Sequence, residues 1–262
     1  MAQERGAGIR GRAPGIAKVA SAGVKGLLRG VPVRHRFAVM VALARAAASL
    51  KKPPPGAPRV PWHADDRVDA MLHQIMARTM ARGIEFAPRM YGVGPMERIR
   101  ERAGQGILCV GPRSSLHAFI VRYLHEQGLE PLPVASYDPY PVLGTSTEIP
   151  VLQTGARLMF QARRALGEGR LVLAALGKET GARVIHFDTA RGRMDMGDAL
   201  IRLGLRCGAA LCFGFATLDH DGAIALRFEF PDLPAGATPE RAVEAYIAAV
   251  QRAAAASLSA AV

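Results

Sequence analysis

Apolar residues fall into short unbroken runs alternating with stretches of helical period. Gly106–Gly111 (GILCVG) is an apolar run bounded by turn residues, which predicts a buried strand. A helix is expected from about Ser114 to Gln127, closed by Gly128. Leu132–Ala135 reads as a second strand, and Pro133 suits an edge or a strand end. A proline-bearing loop follows over 137–150, then a helix over 152–166 and a strand over 170–175. Helix 198–206 stops at Gly208 and leads into strand 209–216. Asp219-His220-Asp221-Gly222 is a hairpin turn, returning the chain as strand 223–230 before a final helix over 238–258. Upstream, Val68, Met71, Leu72, Ile75 and Met76 recur at helical spacing within 65–88, and Phe37–Leu50 is an apolar helix former with Arg45 its only charge.

Strand–helix alternation ending in a hairpin predicts an α/β domain, with a mixed, mostly parallel sheet flanked by helices. Lys51–Pro61, rich in proline, reads as an extended linker. This divides the chain into a basic arm over 1–52, a linker over 53–63 and an α/β body over 64–262. Half the residues are hydrophobic and 21% charged, which excludes a wholly disordered chain. Cys109, Cys207 and Cys212 have no metal-ligand spacing and read as buried small hydrophobes in a reducing compartment. No phosphate loop or dinucleotide turn is present. Gly104-Gln105-Gly106 precedes its strand, where such a turn would follow one.

The charge is unevenly spread. Residues 1–52 hold eleven basic side chains and one acidic, so +10 of the net +12 lies in the arm. An arm of this kind seeks phosphate, on lipid or on nucleic acid. Aromatics are only 6% and no nucleic-acid motif occurs, which disfavours a nucleic-acid partner. Lys18, Lys25 and Arg29 recur among apolar residues, as in a segment lying on an anionic membrane, with Arg34 and Arg36 beyond. The 14-residue stretch 37–50 is shorter than the ~20 residues of a span, and Lys18 and Lys25 interrupt any signal-peptide core. A helix packed on the body, with its Arg and Lys in water, is the competing reading.

The order of the parts resembles the lipid A biosynthesis acyltransferases, within the lysophospholipid acyltransferase-like fold. The similarity rests on Gly30-Val31-Pro32-Val33-Arg34, on Gly94-Pro95-Met96-Glu97 leading into Gly106–Gly111, and on His125–Val134. It continues through Ala165–Val172, Gly197–Leu211 and the Asp221-Gly222 turn, firmest over 94–230. The resemblance implies an acyl donor, either acyl carrier protein or acyl-coenzyme A. It also implies a lipid hydroxyl as acceptor, no cofactor, and a place on the cytoplasmic, inner face of the cell membrane.

The family carries His-x-x-x-x-Asp/Glu after its first core strand, the His being the general base for the acceptor hydroxyl. Here Pro112 stands at the position of that His, and His117 at that of the acid. The basic residue after the second strand and the acid after the third are replaced too, by Ala135-Ser136-Tyr137 and Leu176-Gly177-Lys178. The expectation is a catalytically degenerate family member that binds acyl chains or lipids. The alternative is an active enzyme with His117 as a displaced catalytic base and Ser114 or Ser115 as its partner. Against this, Ser114 suits a helix cap, with His117 in the helix's first turn. Arg113 and Lys178, at strand ends, are candidate holders of a phosphate or carboxylate. His125–Glu130 repeats the family spacing across a helix end and reads as coincidence, while His186 and Asp188 share one face of a further strand. No metal site is expected.

Overall fold

The computed structural model describes residues 26–50, 66–94, 96–135, 149–177, 183–189, 192–234 and 236–259. The linker, Lys18, Lys25, Lys178 and most of the expected loop at 137–150 lie outside these residues. The apolar runs become the centre of one sheet. β2 (Ile107–Pro112) lies between β5 (Leu171–Leu176) and β8 (Ala210–Leu218). β3 (Pro131–Ala135) and β4 (Leu152–Gln153) extend one side, β9 (Ile224–Glu229) and β1 (Met90–Val93) the other. β8, β2, β5, β3 and β4 run parallel; β9 is antiparallel to β8, and β1 is parallel to β9. The sheet is therefore mixed and mostly parallel.

Helices cover both faces. α1 (Val33–Leu50), α2 (Asp66–Met80), α3 (Met96–Glu101) and α4 (His117–Glu126) pack on one face, where Ile107, Cys109, Leu173 and Cys212 point. α5 (Leu158–Gly167), α6 (Ala199–Arg206) and α7 (Pro239–Ser259) take the other, with Leu108, Val110, Val172 and Phe213. A two-stranded ribbon, β6 (Val184–Thr189) with β7 (Gly192–Gly197), packs on α7. Alternate residues of β2 thus feed two separate cores, which is why an inner parallel strand reads as a continuous apolar run.

Several expected boundaries move. The stretch from 152 contains the short strand β4, and its helix begins at Leu158, because Gly155 adopts φ +143° and interrupts the run. The helix expected over 65–88 ends at Met80, where Gly83 takes φ +64° and the chain continues extended. β3 is an inner strand, yet β4 covers only Val134 and Ala135. Along Pro131 and Pro133 the outer side is open, which accommodates residues lacking an N–H. His186 pairs across the ribbon with Asp195 (2.6 Å) and not with Asp188.

α1 belongs to the core of the body. Phe37, Met40, Val41, Ala44 and Ala48 are buried, and the Phe37 ring meets those of Phe86 (6.0 Å) and Phe119 (5.5 Å). The amphipathic face read as a membrane-contact candidate is, over 37–48, a packed interior face. The charge boundary at residue 52 therefore does not mark where packing with the body begins.

Backbones approach closely at the end of β2. A methyl group on Gly111 would collide with the Gly214 carbonyl oxygen and stand 2.9 Å from the His117 ring. Gly214, on the same face of β8, leaves room for Cys109 and Ile120. The two glycines form a depression in which the first turns of α4 settle. Gly111→Ala must push backbone apart there and is expected to cost about 1–3 kcal/mol, as overpacked cores do. Urea denaturation checks this, and an unchanged midpoint would show that β2 and β8 have slack at this point.

Candidate functional site

Open parallel sheets bind ligands beyond the C-terminal ends of strands whose onward connections leave to opposite faces. β2 and β5 satisfy this. β2 leads into α4 on one face and β5 toward α6 on the other. The segment Pro112–His117 forms one wall of this mouth, and buried Leu176 and Gly177 end the strand beside it.

Arg113 is exposed just past β2, while Ser114 and Ser115 are half-buried. Ser114 Oγ accepts the Leu116 N–H at 3.1 Å, and the Ser114 carbonyl accepts that of His117 at 3.2 Å. Ser114 thus supports the turn that precedes α4, but the residue at the N-cap is Leu116, whose side chain makes no cap hydrogen bond, so the expected Ser114 cap is not formed. Ser115 meets Asp69 of α2. Its N–H donates to both carboxylate oxygens, at 3.2 and 3.3 Å, and its Oγ–H donates to Asp69 Oδ1. A carboxylate from another helix therefore occupies the start of α4, where N–H groups and the helix dipole favour negative charge.

Asp69 escaped the sequence reading, although a signal existed. It precedes Leu72 by three and Met76 by seven, the two residues of α2 that are 0% exposed. A carboxylate in register with a core-facing stripe calls for a partner, which lies 46 residues away.

His117 opens α4 and is only 8% exposed. Its ring lies against Gly111, and Nε2 has no hydrogen-bond partner among the described residues. Burial disfavours the imidazolium and lowers the pKa from 6.5 to about 4. The imidazole is neutral at physiological pH.

Of the other expected residues, Arg36 is spent inside the fold. It donates to the carbonyls of Val31 (2.9 Å) and Glu85 (2.8 Å), tying α1 to the chain before β1. Arg29 and Arg34 are exposed, as are Leu27 (50%) and Val33 (39%). Cys109 and Cys212 face each other across β2 and β8, and burial raises the Cys212 thiol well above its ordinary value, so it stays protonated. No described residues group into a metal-binding cluster, and no described helix is long and apolar enough to cross a membrane. A cleft of about 900 Å³, lined by Arg98, Arg102, Phe230 and Leu233, and a smaller one of about 280 Å³ beside Ile107 and Leu171 lie at the opposite end of the parallel strands. They do not adjoin the mouth. No protein-family model matches the chain, and no curated protein matches it either.

The His117 burial makes a signed prediction. The folded-state pKa of about 4 lies below the ordinary 6.5. This contribution is fully present above pH 6.5, where both states are neutral, and falls as acid protonates the unfolded chain first. The loss approaches about 3 kcal/mol near pH 4. His117→Gln lacks the titrating group and should lose less stability than wild type between pH 7 and 4, read as the change in unfolding free energy within each protein. Parallel curves would refute the buried neutral imidazole.

Proposed function

We propose that this chain is a peripheral membrane protein with a lipid A acyltransferase-like architecture, and that it binds an acyl chain or acylated donor at the β2–β5 mouth without ordinary turnover. The carrying observation is the engagement of the mouth's own chemistry. Pro112 has no basic side chain, Ser115 is bound to Asp69, and His117 is buried, neutral and packed against Gly111. General-base catalysis needs a group of suitable pKa within reach of the acceptor hydroxyl. A buried imidazole with a pKa of about 4 is a poor proton acceptor at neutral pH.

The mixed, mostly parallel sheet supports the architecture, and exposed Arg113 at the strand end supports an anionic donor such as acyl-coenzyme A or acyl carrier protein. Arg29 and Arg34 beside exposed Leu27 and Val33 support contact with anionic lipid at the inner face of the cell membrane.

One observation favours a second reading. Nε2 of His117 has no hydrogen-bond partner among the described residues, and an opening of α4 would bring this imidazole within reach of an acceptor hydroxyl. Thiol release from long-chain acyl-coenzyme A and acyl carrier protein, with membrane lipid as acceptor, separates the two. The degenerate reading expects no release above background in wild type or His117→Ala, saturable donor binding, and weaker binding in Arg113→Ala. Turnover that disappears in His117→Ala would establish the second reading. Neither turnover nor binding would overturn the acyl-donor proposal.

A further inference from the structure

The side of the body opposite α1 and α2 carries an exposed aromatic among cations. In α5, Leu158, Ala162, Ala165 and Leu166 are buried, while Phe160 projects, 71% exposed, with Met159 (37%) beside it. Phe160 is the most exposed large apolar residue among those described, and the next is Leu27. Arg157, Arg163 and Arg164, three before and three and four after, share its helix surface. All three are exposed; Arg164 pairs with Glu168 (2.7 Å), and Arg157 and Arg163 form no ion pair among the described residues.

Position gives this patch its meaning. β4 is parallel to β3, so the first turn of α5 stands at the end of the sheet where β2 and β5 terminate. The Leu27, Arg29 and Val33 group reaches the same end from the other face. Leu28 is buried in the α1–α2 core, and the Val33 carbonyl accepts the Ala87 N–H just before β1. β1 starts beside Ile224, immediately after the β8–β9 turn at that end. Two apolar–basic points therefore flank the mouth, one on each side of the sheet.

We propose that the Phe160 patch is a second membrane-contact point, inserting Phe160 and Met159 into an anionic lipid surface while Arg157 and Arg163 meet the headgroups. This rests on the membrane reading above and adds a contact that the basic arm does not supply. In this proposal one bilayer surface meets both points, and the mouth between them faces lipid. The projecting ring suits an interface, where an aromatic enters below the headgroups and neighbouring arginines stay at their level.

The test uses the full chain with the native tryptophan removed (Trp62→Phe) and a reporter placed by Phe160→Trp. The vesicles are phosphatidylcholine with or without phosphatidylglycerol. The expected result is a blue shift and quenching by brominated acyl chains on anionic vesicles only. In the native background, Phe160→Ser should weaken anionic-vesicle binding about tenfold, the scale of one lost aromatic insertion. The side chain is exposed, so folding is not at stake. Vesicle binding with an unshifted emission spectrum from the Phe160→Trp reporter would overturn this inference and leave the membrane reading intact. No vesicle binding by wild type would overturn both. Equal weakening by Phe160→Ser on soluble polyglutamate would assign the patch to an acidic protein and overturn the lipid assignment.

Discussion

The arrangement at the mouth depends on the close approach of β2, β8 and α4 around Gly111. A strand residue with no side chain lets the His117 ring rest on the sheet and keeps the Gly214 carbonyl of β8 where a Cβ would otherwise stand. The imidazole is therefore buried at the helix start instead of projecting past the strand ends. Asp69 reinforces the arrangement by holding Ser115 from α2, so the turn after β2 is fixed from below by the sheet and from the side by a helix.

This packing separates architecture from chemistry. Parallel strands and oppositely directed connections create a crevice beyond β2 and β5 whatever residues fill it, because the crevice follows from topology. Its reactivity depends on which side chains reach solvent there. Among the described residues there, Arg113 is exposed, Ser115 is bonded to Asp69 and His117 is buried.

Much of the sheet was legible in the sequence. The runs at 106–111, 170–175 and 209–216 are the inner strands, and Gly128, Gly208 and Gly222 stop or turn the chain with φ between +66° and +78°. Local chemistry dictates such features. Less local features were hidden. β1 is only four residues and finds β9 over a hundred residues later; β4 is two residues inside a stretch that favours helix. The Phe37–Phe86–Phe119 cluster likewise joins distant segments, which made α1 look like part of a separate arm. At the candidate site, the turn after β2 falls where the sequence pattern expects it, between strand 107–112 and the helix that opens at His117. The burial of His117 depends on how Gly111 packs beside the Gly214 carbonyl of β8, and the fate of Ser115 depends on Asp69, so both partners come from elements distant in the chain.

The account turns on the state of one imidazole. Titrating the Cε1–H resonance of His117 by NMR in the folded protein, assigned by its loss in His117→Gln, measures that state directly. The packing against Gly111 predicts a resonance that holds its neutral position from pH 8 down to about 5, as expected for a desolvated imidazole without a charged partner. A midpoint between about 6 and 7, where a working general base is poised, would show that the ring meets solvent or an acid. It would contradict the reading of this mouth as one whose proton-transfer chemistry is packed away.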